Sequence, residues 1–282
     1  MNERPADVDL IRTGADDPAG VSPPRRSLVF LAVLAVAILA LAGGYLYLRR
    51  ARPEPAAAAG AKPDDAVKVR QDETAAVSLP PLEGTDPLVR QLVGALSSHP
   101  VVAAWLATDR LIVNFVVVTS RIADGATPAA ELKAIGPVPE FRARTTPAGL
   151  SIDPATYHRF DRHAQAVASI DAHGAARVYE TLKPRVMEAE KNFGGPADFD
   201  QELERAIVEL LKVPIVDGPV ALTRRGIGYG YADPRLEAMS AAQKQLFRMG
   251  PDNVRVVQGK LREIASYLSI PAARLPRPAT LE

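Results

Sequence analysis

One uncharged stretch near the N-terminus constrains this chain more than any other feature. The 22 residues from Ser27 to Leu48 contain no charged side chain, and arginine pairs at 25–26 and 49–50 flank them. A helix of this length rises about 33 Å, at about 1.5 Å per residue, and a bilayer's hydrocarbon core is about 30 Å thick. The stretch therefore predicts one transmembrane helix, with the lipid bilayer as the partner of Ser27–Leu48.

Two other interpretations of this stretch compete with a permanent span. The small residues Ala40–Ala42 resemble a signal-peptidase site, and cleavage there would release the rest of the chain. The apolar run continues past them to Leu48 and stops at arginines, which favours a retained span. The letters "RRSLVF" also faintly resemble a twin-arginine signal, although a charged flank of a membrane span explains the same residues.

The segments around the span are polar or rich in alanine and proline. Residues 1–26 show no apolar period and predict a disordered tail, and residues 49–80 predict a disordered tether interrupted by prolines. We expect a second disordered tail over residues 271–282. Between them, residues 81–270 predict one helical globular domain.

Orientation is predicted from the charges beside the span. Three arginines precede it within about 20 residues and five Lys or Arg follow it, which taken literally places the domain inside the cell. Long domains cross membranes largely regardless of charge, however, and Arg25 and Arg26 abut the span directly. We therefore expect an extracytoplasmic domain.

Composition excludes several chemistries. The chain of 282 residues has no cysteine, so thiolate zinc sites, disulfides and cysteine nucleophiles are excluded. The net charge is +1, and it provides no overall field to attract nucleic acid or anionic lipid.

The apolar pattern of residues 81–270 predicts a mostly α domain with a small β-hairpin. Leu111, Phe115, Val118 and Ile122 recur at helical spacing. The letters "FVVVT" within this stretch would also suit a strand, but Asp109 as a cap and Gly125 as a stop favour a helix. Alternating residues on both sides of the turn at 147–149 predict the hairpin. Pro184 would kink or split the helix that contains it.

The C-terminal stretch 240–268 predicts a helix, a sharp turn at Gly250–Pro251 and a second helix. Its basic side chains could face phosphates, but the second helix has an apolar face, made of Val254, Val257, Leu261 and Ile264. A recognition helix needs polar side chains aimed at base edges. Packing of the two helices into the core is therefore favoured, and no nucleic-acid partner is expected.

Two other patterns are candidates for function. Gly226, Gly228 and Gly230 alternate with one isoleucine and two tyrosines, which favours a strand with one bare face over a phosphate-binding loop. His158, Asp161 and His163 lie close in sequence, but spacing i, i+5 turns the second histidine about 140° round a helix. We therefore predict no metal site, no cofactor and no catalytic residue.

Long strings such as "YADPRLEAMSAAQKQLFRMGPDNVRVVQGKLREI" and "DPATYHRFDRHAQAVASIDAHGAARVYETLKP" resemble the bacterial domain-of-unknown-function 3014 family. The resemblance covers Leu79 to about Leu268. It implies a bacterial protein with an N-terminal membrane segment and a largely helical domain, and it implies no activity.

The sequence thus predicts a single-pass protein of the bacterial inner membrane with its globular domain in the periplasm. We expect a binding or scaffolding module for a protein or cell-envelope partner. Its predicted surface consists of Tyr229, Tyr231, Arg248 and Asn253, beside the helix start at Gly250–Pro251, where free backbone N–H groups would suit an anionic peptide end or a cell-wall carboxylate. The alternatives are a tethered hydrolase using His158, Asp161 and His163, and a tethered DNA-binding regulator.

Overall fold

The computed structural model describes residues 79–281, apart from 129, 138, 139, 196, 197, 227 and 280. The predicted tail at 1–26, the predicted span Ser27–Leu48 and nearly all of the predicted tether lie outside these residues. Within them, no single helix has the length and hydropathy of a bilayer span. The helices Pro100–Leu106 and Leu111–Ala123 reach that length and composition only together, across a bend of 108°.

The described domain is mostly helical and carries two short antiparallel hairpins, so the predicted fold class is confirmed for this part of the chain. The α-helices are α1 (Asp86–Gly94), α2 (Pro100–Leu106), α3 (Leu111–Ala123), α4 (Asp161–Ala168), α5 (Ala172–Asn192), α6 (Phe199–Leu211), α7 (Pro234–Glu237), α8 (Ala241–Phe247) and α9 (Pro251–Tyr267). The strands are β1 (Ala143–Thr146), β2 (Gly149–Ile152), β3 (Leu222–Arg225) and β4 (Gly228–Tyr231). Short 3₁₀ turns lie at Leu82–Gly84, Lys133–Ile135, Pro154–Phe160 and Ala272–Arg274.

Helix α3 forms the centre of the core. Its four apolar residues at helical spacing are all buried, and it packs on α5 and α6. The choice of helix over strand for "FVVVT" is therefore confirmed. The predicted cap is wrong, because Asp109 does not bond to the first amides of α3. Asp86 does so, and its carboxylate accepts the N–H groups of Arg110 (2.7 Å) and Leu111 (2.8 Å).

Helix α9 closes the core against α4, α5 and α6. Val254, Val257, Leu261 and Ile264 are buried, as the apolar spacing predicts. Ser240 and Gln243 form a capping box at the start of α8, and Gly250, at φ 86°, turns the chain into α9. The C-terminal helical pair thus contributes core surface, which is the interpretation that the sequence favours.

Helix α5 is not split at Pro184. It continues over 21 residues, and Val178, Leu182, Val186 and Ala189 on one face are buried. A proline inside a helix removes one backbone hydrogen bond. Burial of the apolar face against α3 and α9 supplies the packing that keeps the helix continuous.

The two hairpins lie side by side. β1 pairs with β2 as predicted, and β3 pairs with β4 in a second hairpin, so the predicted glycine-rich strand is β4. A bridge between Ser151 and Ala221 joins the two, and the Ile152 N–H donates to the Val220 carbonyl at 3.0 Å. This junction fixes the segment that leads into β3.

The C-terminal segment differs from the disordered tail predicted for 271–282. The Ile215 N–H donates to the Ala279 carbonyl (2.8 Å), and the Leu281 N–H donates to the Ile215 carbonyl (3.1 Å). Arg274 also forms an ion pair with Glu204 at 3.1 Å. Backbone pairing holds this segment in place. Such pairing needs no apolar period in the sequence, so the pattern of side chains does not reveal it.

Candidate functional site

The four residues of the predicted surface do not form one surface. Tyr231 is a core residue, 6% exposed, with its ring edge-on to Phe247 at 5.3 Å between centroids. Burial raises the pKa of Tyr231, and Arg248 beside its hydroxyl acts in the opposite direction. Tyr229 is 44% exposed. Asn253 lies in a separate cleft, described below.

A cluster of aromatic rings and one arginine lies beside Tyr229. Its ring lies 5.8 Å from that of Phe141, and the Arg159 guanidinium lies 5.7 Å from the Phe141 ring and 4.7 Å from the Phe160 ring, measured to the centroids. Burial and, to a smaller extent, the charge of Arg248 lower the pKa of Arg159 to about 10. These groups satisfy one another by packing and cation–π contact, which indicates a structural role.

The bare face expected on the glycine-rich strand is covered. A Cβ built on Gly230 would lie 2.8 Å from the Nε atom of Arg225. The Arg225 side chain therefore covers the glycine face of β4 at this point, and it forms an ion pair with Glu237 at 3.3 Å.

The histidine candidates separate. His163 is buried in the core, and its Nε2 lies 2.7 Å from the Ile135 carbonyl oxygen. Burial lowers the pKa of His163, against the Ile135 carbonyl, which raises it. His158 is exposed, and its Nδ1 lies 2.9 Å from Asp161 Oδ2. His158 lies in the 3₁₀ turn and His163 in α4, and the described residues contain no group of three His, Asp or Glu side chains placed to hold a metal ion.

A cleft of about 670 Å³ lies where α4 meets the start of α9. We call it the α4–α9 cleft. One wall is a single face of α4, formed by Asp161, Ala164, Gln165 and Ala168 at positions i, i+3, i+4 and i+7. The two alanines on this face keep the cleft wide, because they carry the smallest side chains after glycine.

The opposite wall is the segment Val216–Val220, which has neither helix nor strand structure. Gly218 and Pro219 within it disfavour regular structure. The pairing of Ile215 with the C-terminal segment holds one end of this wall, and the pairing of Val220 with Ile152 holds the other. The wall is therefore fixed at both ends and irregular between them.

Apolar and polar groups meet in this cleft. Ile152, Met249 and Val220 are buried side chains that contribute apolar lining. The first turn of α9 contributes Asp252 and Asn253, and β1 contributes Arg144. Clefts of about 300–1,000 Å³ with an apolar lining and a few converging polar groups are the usual form of ligand sites.

Sequence reasoning identified Asn253, His158 and Asp161 as candidates, but under two different hypotheses. The structure brings them together: the Asn253 Nδ2 group donates to Asp161 Oδ1 at 3.0 Å, across 92 residues of chain. Ala164, Ala168 and the Val216–Val220 wall were missed. The run "VDGPV" between a helix and a strand was the signal available, since it can form neither element.

A family model described as "Protein of unknown function (DUF3014)" matches residues 111–265. This range is more than half of the 282-residue chain. It contains both walls of the α4–α9 cleft, and it agrees with the resemblance seen in the sequence. No curated protein matches the chain, and no solved structure matches it.

Proposed function

This chain belongs to the DUF3014 family of proteins of unknown function, and from that premise we propose that it is a membrane-anchored binding protein whose helical domain holds a ligand in the α4–α9 cleft. The observation that carries the proposal is the cleft itself. Its volume of about 670 Å³ lies within the range of ligand sites, and its lining combines buried apolar side chains with polar groups from three elements.

The sequence supports the anchoring half of the proposal. Ser27–Leu48 is uncharged and long enough to span a bilayer, and about 30 residues of alanine- and proline-rich chain separate it from the domain. The domain would therefore search a volume beside the inner membrane, on its periplasmic side. A ligand carried by another envelope protein would make the domain a scaffolding module.

Anchoring and orientation are tested together with alkaline phosphatase fused after Glu282. We expect the full chain to sediment with membranes after lysis and the fused phosphatase to be active, because that enzyme folds only outside the cytoplasm. A variant lacking residues 27–48 is the control and should be found in the soluble fraction. Full-length protein in the soluble fraction contradicts anchoring, and inactive phosphatase on sedimented protein contradicts the periplasmic orientation.

Binding in the cleft is tested with single cysteines, because the chain has none of its own. Ala168 is an exposed alanine in the cleft wall, and Ala104 is an exposed alanine of α2 outside it. A maleimide should label Ala168→Cys more slowly in native membranes than after purification in detergent. Labelling of Ala104→Cys should be the same in both. Equal rates for both variants in both preparations would contradict an occupied cleft.

A further inference from the structure

The α4–α9 cleft presents a hydrogen-bond acceptor that the fold leaves unused. Asn253 is only 8% exposed, and its Nδ2 group donates to the Met249 carbonyl (3.0 Å), to Asp161 Oδ1 (3.0 Å) and to the Tyr157 carbonyl (3.4 Å). Three acceptors around Nδ2 fix the orientation of the amide. The amide oxygen then points away from them, and no hydrogen bond reaches it within the described residues.

The charges of the cleft also favour a ligand with a positively charged hydrogen-bond donor. Its lining contains three carboxylates, Asp161, Asp217 and Asp252, and one arginine, Arg144. Arg255, outside the lining, bridges two of the carboxylates, with Nη atoms 2.6 Å from Asp217 Oδ1 and 3.1 Å from Asp252 Oδ1. No Lys or Arg of the described residues forms an ion pair with Asp161, whose carboxylate accepts from the Asn253 amide (3.0 Å) and faces the exposed His158 ring (2.9 Å). A positively charged ligand group would find its partner at Asp161.

The irregular wall adds backbone groups. Within the described residues, no backbone–backbone hydrogen bond involves Val216, Asp217 or Gly218. An extended peptide pairs with such groups, because its own N–H and C=O groups alternate along the chain and need partners. The face of α4 from Asp161 to Ala168 is about 10 Å long, which matches about three extended residues.

These observations indicate the chemistry of the ligand, and the inference rests on the proposed function of the cleft. We propose that the α4–α9 cleft binds an extended peptide segment of a partner protein, with a lysine or arginine side chain at Asp161 and the Asn253 amide oxygen. Small apolar side chains on either side of that cation pack on Ile152, Met249 and Val220. The anionic ligand expected from the helix start at Gly250–Pro251 is thereby replaced, because Asp252 already stands in the first turn of α9.

The test uses the purified full chain in lipid nanodiscs and two matched peptides, acetyl-Ala-Val-Lys-Val-Ala-amide and the same peptide with Glu for Lys. Isothermal titration should show the Lys peptide binding at least about tenfold more tightly, as expected for one close charge pair at a partly screened site. Lysine amide alone should bind much more weakly, because it lacks the flanking backbone. The Lys peptide should also slow maleimide labelling of Ala168→Cys and leave Ala104→Cys unchanged.

Two substitutions localise the effect. Asp161→Asn keeps an oxygen towards Asn253 and should weaken the Lys peptide by about tenfold, and Asp217→Asn should weaken it by a smaller factor. Asp109→Asn, at an exposed acid of another part of the surface, should leave the affinity unchanged. The proposal is overturned if the Glu peptide binds more tightly than the Lys peptide or if the two bind equally. It is also overturned if Asp161→Asn binds the Lys peptide with full affinity. Absence of binding by both peptides also overturns it, whereas protection of Ala168→Cys in native membranes would still support an occupied cleft with another ligand.

Discussion

The Asp86 carboxylate caps the helix that begins at Leu111, 25 residues later in the chain. Its Oδ1 accepts the Leu111 N–H at 2.8 Å and its Oδ2 accepts the Arg110 N–H at 2.7 Å. The backbone of Arg110 has a φ of 57°, in the left-handed region that residues other than glycine rarely adopt. A single carboxylate in the first turn of α1 therefore ties α1 to the start of the central helix α3.

Loss of this cap should destabilise the domain. We expect Asp86→Ala to lower the free energy of unfolding by about 1–2 kcal/mol, because the first amides of α3 lose their acceptor. Asp109→Ala is the matched control, and its exposed side chain should contribute less than about 0.5 kcal/mol. Urea unfolding of the full chain, followed by circular dichroism, measures both. A larger effect at Asp109 would contradict the assigned cap.

Glu190 should make stability depend on pH. It is 2% exposed, and burial raises its pKa from 4.5 to about 7, with the charges of Glu202, Asp198 and Asp200 adding to the shift. Between about pH 4.5 and pH 7 the unfolded chain releases this proton while the folded chain keeps it. The contribution of Glu190 to stability therefore falls as pH rises through this window and stays low above it.

Glu190→Gln should remove that dependence, because glutamine carries no ionisable proton. The urea midpoint of the variant should fall less than that of the wild type from pH 4.5 to pH 7, and it should be higher than the wild type at pH 8. Glu188→Gln, at a half-buried residue of the same helix that forms an ion pair with Arg185, is the control. Parallel curves for the wild type and Glu190→Gln would show that Glu190 ionises normally.

Two glycines, one just before α9 and one inside it, should respond in opposite directions to substitution by alanine. Gly250 stands at φ 86°, and a Cβ there would lie 2.4 Å from Tyr157 Cγ. Gly259 is an exposed residue inside α9 with open space where its Cβ would be. We expect Gly250→Ala to cost at least about 2 kcal/mol and Gly259→Ala to gain about 0.5–1 kcal/mol. Urea midpoints compare them, and a tolerated Gly250→Ala would contradict the close approach of Tyr157.

Removal of the C-terminal segment should loosen the irregular wall of the cleft. A chain ending at Ile270 loses the Ala279 acceptor and the Leu281 donor of Ile215. We expect faster amide hydrogen exchange at Ile215, with exchange in α3 unchanged, and a loss of stability of about 1–3 kcal/mol for the two hydrogen bonds. Unchanged exchange at Ile215 would show that this wall is held without the C-terminal segment.

The sequence predicts those features that depend on neighbours within one or two helical turns. The buried stripe of α3 and the sharp turn at Gly250–Pro251 both arise from residues a few positions apart. Helical spacing and the backbone freedom of glycine determine these features, so they can be read without knowledge of the fold.

Only the tertiary structure decided which residues from distant parts of the chain come into contact. Tyr229 and Tyr231 share one face of β4, yet packing buries the second beneath Phe247 and leaves the first exposed. Asp86 reaches α3 in place of the nearer Asp109, and Asn253 reaches Asp161 across 92 residues. Periodicity tells which face of a helix is buried but not which helix covers it, because that choice follows from packing of the whole core. The hydropathy of Ser27–Leu48 predicts a place in the membrane, and the α4–α9 cleft exists only where separate elements come together.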